Sequence, residues 1–266
     1  MPRIQLPFAA PPAPATQHTY RSSAFGHDRD YSIVMPPESE APAAGYPLYL
    51  LLGGFSDTHV TWFQNTYAVR CASEWKMAIV CPNGEKGWYT NGVGGSGPYE
   101  DDLIGDLLPA ISARHPVSTH PSCRAVGGLS MGGYGAAKLA LRYPELFSVG
   151  VVHSAALEVT SSPQQHPVFG DPVRDAAFRK AEDAFYLAEQ AATRLPTDRR
   201  ELWIDCGKHD HLIEGNRRFV GHLNLLGYPH TWVELPGEHT WPYWNRRIRQ
   251  ILPAVARRIH AEPAGV

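Results

Sequence analysis

Gly128-Leu129-Ser130-Met131-Gly132 is the segment of this chain best suited to chemistry. It lies between an apolar run over residues 124–128 that reads as a strand and a helical run over 134–143 ended by Pro144. A serine is useful as a nucleophile only where its hydroxyl is lifted clear of both elements. A sharp strand-to-helix turn does this at the cost of backbone strain, and glycines on either side remove Cβ atoms that would collide there. The same turn leaves the first N–H groups of the helix beneath the serine, where they can stabilise negative charge. The pattern points to acyl transfer through a covalent serine intermediate.

Such a serine needs a base to take its proton and an acid to orient that base. On a turn of this kind the partners follow in the chain order serine, acid, histidine. Among the thirteen histidines, His222 falls mid-helix, His230 opens a strand and His260 lies in the tail. His211 stands too close to the acid candidates for a strand and a helix to fit between them. His239 sits in the loop Gly237-Glu238-His239-Thr240, between the last predicted strand and the last predicted helix, and is the candidate base. Asp205 and Asp210 compete for the acid position, with Glu214 a distant third. Asp205 falls inside the strand predicted over 202–206. Asp210 follows that strand in a loop, at the carboxyl end where sites form in such sheets, and is favoured.

An oxyanion at the serine needs two N–H donors. One is expected from Met131, next to the nucleophile, and one from the loop after an earlier strand. There Gly53-Gly54-Phe55 ends an apolar run, and Gly54 is the choice. Aromatic residues fall in loops that should face the serine; Phe55, Trp88, Tyr89 and Trp241 are the candidate substrate contacts, with Tyr243 nearby. Two other patterns fail on context. The segment 92–97 fits G-x-G-x-x-G, but no strand precedes it and Pro98 follows, so no dinucleotide cofactor is expected. His209-Asp210-His211 lacks an evident third ligand and implies no metal.

These residues need a scaffold that brings distant loops together, and the chain alternates strand and helix as such a scaffold requires. Strands are predicted over 31–35, 49–52, 77–81, 124–128, 149–153, 202–206 and 230–235. Helices are predicted over 60–71, 101–113, 134–143, 213–226 and 244–260, the last containing Pro253. This is the signature of an α/β fold with a mostly parallel sheet covered by helices on both faces. A Gly-rich loop spans 83–99. An insert at about 157–199, Pro-rich and then helical over 178–192, has the position of a cap over the site. Residues 1–20 read as a flexible Pro/Ala-rich arm, because Gln5 and Pro7 break the only apolar stretch that could serve as a signal peptide. Residues 21–262 are expected to form a single domain.

Composition narrows the partners. The chain has 266 residues, 43% hydrophobic and 19% charged, with a formal net charge of −2. That balance gives no electrostatic reason to bind nucleic acid or an anionic membrane, and no stretch is long enough to span a bilayer. Cys71, Cys81, Cys123 and Cys206 lack metal-like spacing and read as small hydrophobes, a Cys71–Cys81 pairing being left open. The expectation is a soluble, cytoplasmic protein acting on a small-molecule ester without cofactor or metal, with a homo-oligomer allowed.

Beyond the motif, the chain resembles the esterase D / antigen 85 mycolyltransferase family of α/β-hydrolases from about Arg21 to about Leu252. The stretches that carry the resemblance are RSSAFGHDRDYSIVMPP, YPLYLLLGGFSDTHVTW, YEDDLIGDLLPAI, GGLSMGGYGAAKLALRYPELF, WIDCGKHDHLIEGNRRF and PGEHTWPYW. The resemblance implies Ser130, Asp210 and His239 as a triad, with Gly54 and Met131 at the oxyanion positions. Many members carry a histidine before the strand-end glycine, where this chain has Leu52. The family's small esterases imply a carboxylesterase for short-chain or aryl (feruloyl- or acetyl-type) esters. Its other members imply the alternatives: a mycolyltransferase-type acyltransferase or an S-formylglutathione hydrolase-like thioesterase. A non-catalytic binding protein on the same scaffold is the remaining reading.

Overall fold

Residues 14–162, 166–194 and 201–260 are described by the computed structural model, and their strands form one eight-stranded sheet. The strands are β1 (Thr16–Arg21), β2 (Asp28–Val34), β3 (Leu48–Leu52), β4 (Ala78–Pro82), β5 (Arg124–Leu129), β6 (Val149–His153), β7 (Glu201–Gly207) and β8 (His230–Leu235). Their spatial order is β1-β2-β4-β3-β5-β6-β7-β8. β1 and β2 run antiparallel to their neighbours, and the pairs from β4 through β3 to β8 are parallel. Connecting helices are α1 (Thr61–Asn65), α2 (Ala68–Glu74), α3 (Tyr99–Asp101), α4 (Leu108–Arg114), α5 (Met131–Arg142), α6 (Ala176–Ala181), α7 (Ala184–Arg194), α8 (Ile213–Leu226) and α9 (Trp241–His260). Between α3 and α4 the chain continues as a π-wound stretch, Asp102–Leu107.

The central strands are apolar throughout because both of their faces are covered. Along β3, Leu48, Leu50 and Leu52 point into one layer with α5, α7 and α8, while Tyr49 and Leu51 point into the other with α2 and α9. Successive side chains of a strand alternate in this way, so one continuous hydrophobic run feeds two cores. α9 answers with Trp244, Ile248, Leu252, Val255 and Ile259 at spacings of three and four, a single apolar stripe against the sheet.

The site-forming geometry follows from strand order. β3 lies between β4 and β5, so the chain runs outward from β3 on one side and returns to the other through β5. Loops leaving the carboxyl ends of two such strands diverge and open a crevice. The loop after β3 carries Gly53-Gly54-Phe55, and the turn after β5 carries Ser130.

Two expectations change. Residues 16–20, read as part of a flexible arm, form most of β1, which pairs with β2 from Thr16↔Ile33 to Arg21↔Asp28. Residues 1–13 of that arm, 163–165 and 195–199 of the insert and 261–262 of the domain lie outside the described residues. The single helix predicted over 60–71 is two short ones, α1 and α2, broken at Thr66, whose backbone is extended and whose hydroxyl bonds the Trp62 carbonyl at 2.7 Å. The described part of the insert holds α6 and α7, and residues 157–159, 161, 162 and 166 line the crevice.

Candidate active site

Ser130 stands at the end of β5 with φ 55° and ψ −115°, a left-handed conformation uncommon for a side chain with a Cβ. The turn is held by its neighbours: the Ser130 N–H donates to the His153 carbonyl at 3.0 Å, and the Ser130 carbonyl accepts from Tyr134 and Ala156. Close approach explains the glycines. A Cβ on Gly128 would lie 2.5 Å from the backbone of Gly132, and one on Gly132 would overlap the Leu52 carbonyl. Met131 is the first residue of α5, so its N–H belongs to the group that a helix leaves without internal partners.

His239 and Asp210 come together from the loops after β8 and β7. His239 Nδ1 lies 2.9 Å from Asp210 Oδ2 and 3.1 Å from Oδ1. The two loops are stitched to each other, Lys208 N–H to Leu235 O at 2.8 Å and His209 N–H to Gly237 O at 2.9 Å. Asp210 is buried, whereas the His239 side chain is 21% exposed, so the imidazole reaches solvent while its partner does not. Burial pushes the Asp210 carboxyl up, but hydrogen bonds from His239 and from the Leu212 N–H outweigh it and hold the group below the ordinary carboxylate range. A carboxylate held ionised beside Nδ1 fixes the tautomer that leaves Nε2 as the basic atom. Among the described residues no hydrogen bond joins the Ser130 hydroxyl to His239; such bonds commonly tighten when substrate arrives.

Asp205, the rival acid, is committed elsewhere. It is fully buried against His153, Nδ1 to Oδ2 2.7 Å, and accepts from the Tyr243 hydroxyl at 2.8 Å. Glu214 bonds Arg217 on the surface of α8.

Gly54 is a correction. Its N–H donates to Asp57 Oδ2 at 2.7 Å and is therefore not free to meet an oxyanion. A Cβ placed on Gly54 would come 3.7 Å from Ser130 Cβ, so this loop does lie against the serine. The next N–H along it, that of Phe55, has no backbone partner among the described residues.

A cleft of about 480 Å³ opens beside Ser130. Phe55 and Trp88 line it, joined by His166; Trp88 lies 4.6 Å and Phe55 5.7 Å from the His166 ring centre. Burial, with Arg179 adding to it, holds the His166 imidazole below the ordinary histidine range, which favours its uncharged form. Leu157, Val159 and Leu212 supply apolar contacts, and the Glu158–Arg218 ion pair closes the rim at 2.5 Å. Tyr89 and Trp241 are further corrections. Tyr89 is 1% exposed and points inward, its hydroxyl bonded to the Gly53 carbonyl. Trp241 packs edge-on against Trp62 and Trp244 and is not part of the cleft wall. His166 and Asp57 escaped the sequence reading: one lies in a Pro-rich insert without periodicity, the other in a loop where an aspartate is ordinary.

Asp210, His211 and His239 are the one group among the described residues whose ligand atoms converge enough to hold a metal ion. Its only carboxylate already bonds the Nδ1 of one of its imidazoles, an arrangement metal coordination would have to break. The glycines at 92–97 form a tight loop closed by Gly92 N–H to Gly97 O at 2.9 Å and by a bridge between Asn91 and Pro98, and no strand of the sheet leads into it. All four cysteines are free, and no helix among the described residues is long and apolar enough to cross a membrane.

Residues 22–255 match the family model described as "Putative esterase". Esterase Rv1288 of Mycobacterium tuberculosis is 28% identical over 84% of this chain, and the chain spans only about half of that relative, 55% of its length. The structure superposes on the Staphylococcus aureus fluorophosphonate-binding serine hydrolase FphF with a TM-score of 0.82, at 24% identity, over 92% of this chain and 99% of that one. It superposes on a ferulic acid esterase with a TM-score of 0.74, at 26% identity, over 91% and 97% of the two chains. With its sheet order, its strained serine turn and a family match over nearly all of its length, the chain belongs to the esterase family and has the α/β-hydrolase fold.

Proposed function

We propose that this protein is a serine carboxylesterase acting on short-chain or aryl esters through an acyl-enzyme. The observation that carries the reading is the Asp210–His239 dyad, built from two loops at the same sheet edge as the strained Ser130. His239 removes the Ser130 proton as Oγ attacks the ester carbonyl. Asp210 holds the imidazole tautomer and stabilises the imidazolium. The N–H groups of Met131 and Phe55 receive the oxyanion, Phe55 replacing Gly54 because the Gly54 N–H is taken. His239 then protonates the departing alcohol, and water repeats the attack on the acyl-enzyme. No step needs a cofactor or a metal.

The aromatic wall of Phe55, Trp88 and His166 supports an acyl group that is short or flat, and the ferulic acid esterase among the structural neighbours is in keeping with it. Free thiols at all four cysteines suit a reducing compartment and support a cytoplasmic site.

Hydrolysis of p-nitrophenyl esters from acetate to palmitate, and of methyl ferulate, tests the reading with wild type and Ser130→Ala side by side. Activity in the wild type that is lost in Ser130→Ala is expected, with free acid as the product even when an alcohol is added. Transfer of the acyl group to the added alcohol would make the protein an acyltransferase instead. Equal hydrolysis by both proteins would remove Ser130 as nucleophile.

A further inference from the structure

The peptide that links Gly53 to Gly54 is gripped at both of its polar groups. Its N–H donates to Asp57 Oδ2 at 2.7 Å, and its carbonyl accepts from the Tyr89 hydroxyl at 3.0 Å. A planar peptide held at N–H and C=O together cannot turn about the chain axis. The direction of the following peptide, which carries the Phe55 N–H, is thereby restricted.

Tyr89 occupies a costly position to make its bond. It and Trp88 are consecutive residues with φ of 53° and 52°. Left-handed backbone is costly at bulky residues and persists only where surroundings over-determine it. Here they do. Lys138, fully buried on α5, donates to the Tyr89 carbonyl at 3.0 Å and is neutralised by Glu100 at 2.5 Å and by Glu182. The ring is sealed in where no side chain could stand: a Cβ on Gly135 would come within 2.6 Å of it, and one on Gly84 would overlap its hydroxyl. Packing alone would be satisfied by phenylalanine. The hydroxyl adds one bond, to the carbonyl two residues before Phe55.

We propose that Tyr89 is a positioning residue for the oxyanion site, with Asp57 as its counterpart across the Gly53–Gly54 peptide. Tyr89 fixes the carbonyl and Asp57 the N–H, so the Phe55 N–H points at the forming oxyanion before substrate binds. This rests on the esterase reading above, with Met131 as the other donor. Oxyanion donors act chiefly on the transition state, so misalignment lowers kcat while leaving ground-state binding nearly unchanged.

The test uses the full chain with p-nitrophenyl acetate and four variants: Tyr89→Phe, Asp57→Ala, Asp57→Asn and Ser130→Ala. Tyr89→Phe is expected to lower kcat roughly ten- to a hundredfold with KM within about twofold, the range for a donor displaced by a fraction of an ångström. Affinity for phenylboronic acid, which forms an anionic tetrahedral adduct on a serine, is expected to fall in step with kcat. Asp57→Ala is expected to behave similarly, and Asp57→Asn, whose amide oxygen can accept from the Gly54 N–H, to recover most of the loss. Thermal unfolding of Tyr89→Phe is expected within a few degrees of wild type. A Tyr89→Phe kcat within twofold of wild type would overturn the proposal. So would a kcat loss with unchanged boronate affinity, or one matched by loss of folded protein. Wild-type hydrolysis that does not depend on Ser130 would instead sink the esterase reading, and with it this inference, before any change at Tyr89 is considered.

Discussion

His153 Nδ1 lies 2.7 Å from Asp205 Oδ2, in the interior beneath the turn whose Ser130 N–H is bonded to the His153 carbonyl. Asp205 also accepts from the Tyr243 hydroxyl at 2.8 Å and faces Arg247 Nε at 3.1 Å, both on α9, which begins just after His239. One buried carboxylate therefore braces the strand next to the serine turn against the helix that follows the histidine loop. Burial pushes the Asp205 carboxyl up, but His153 and Arg247 outweigh it, and the group stays ionised below the ordinary carboxylate range.

Two aspartates thus pair with two histidines, and different measurements should tell them apart. Asp210→Asn should lower kcat by about 10⁴-fold, the effect of losing tautomer control in such a triad, with a small change in the unfolding midpoint. Asp205→Ala should instead cost about 3–5 kcal/mol in a urea titration, because it strands the buried Arg247. Unchanged stability in Asp205→Ala would show that the brace is not needed.

A histidine base makes hydrolysis fall toward acid pH as the imidazole takes a proton, within the window of about pH 5 to 8. Asp210 is held below the ordinary carboxylate range and remains anionic throughout that window. One titration, with a single acid limb in kcat/KM, is the expected profile. A rate independent of pH across the window would exclude His239 as the base.

Trp88 forms the inner part of the aromatic wall, 6.0 Å from Phe55 and 4.6 Å from His166. Trp88→Ala should raise KM for methyl ferulate about tenfold, equivalent to about 1.4 kcal/mol of lost ring contact, and leave acetate hydrolysis within about threefold. Steady-state kinetics on both substrates decides it. Equal losses on the two would mean that the ring supports the fold rather than the acyl group.

The charged cluster behind the site carries an acid-stability signature. Burial pushes the Glu100 carboxyl up, but Lys138 and Arg142 outweigh it and bring it from 4.5 down to about 2. A folded-state value below the unfolded one stabilises fully above about pH 4.5, and the contribution drains away as pH falls toward 2. At about 1.4 kcal/mol per unit the contribution is about 3 kcal/mol. Urea titrations at pH 7, 4.5 and 3 should show about 2 kcal/mol of it lost by pH 3 in wild type and a flatter dependence in Glu100→Gln. That variant is also expected to be less stable at pH 7, since Lys138 loses a partner.

Much of the framework was legible without coordinates because its signals are local. β6, α8 and β8 begin and end where their apolar runs do, and the Gly-flanked serine falls between a strand and a helix as its backbone strain requires. β1 was not legible: its burial is confined to Tyr20, and a polar edge strand leaves no hydrophobic pattern to read.

By itself, then, the sequence determined the alternating scaffold, the serine turn, and the loop from which His239 would come, since each is dictated by backbone geometry within a few residues. Tertiary structure alone decided which partner each polar group would take. Asp210, already favoured by its place after the strand, pairs with His239, while the fold alone gives Asp205 to His153. The Gly54 N–H went to Asp57, which leaves Phe55 as the donor proposed above, and Tyr89 turned inward to hold the Gly53 carbonyl. Hydrogen bonds are made across distances of a few ångströms between residues far apart in the chain. Nothing in the local pattern around Asp205, Gly54 or Tyr89 could say which neighbours the folded sheet would bring within reach.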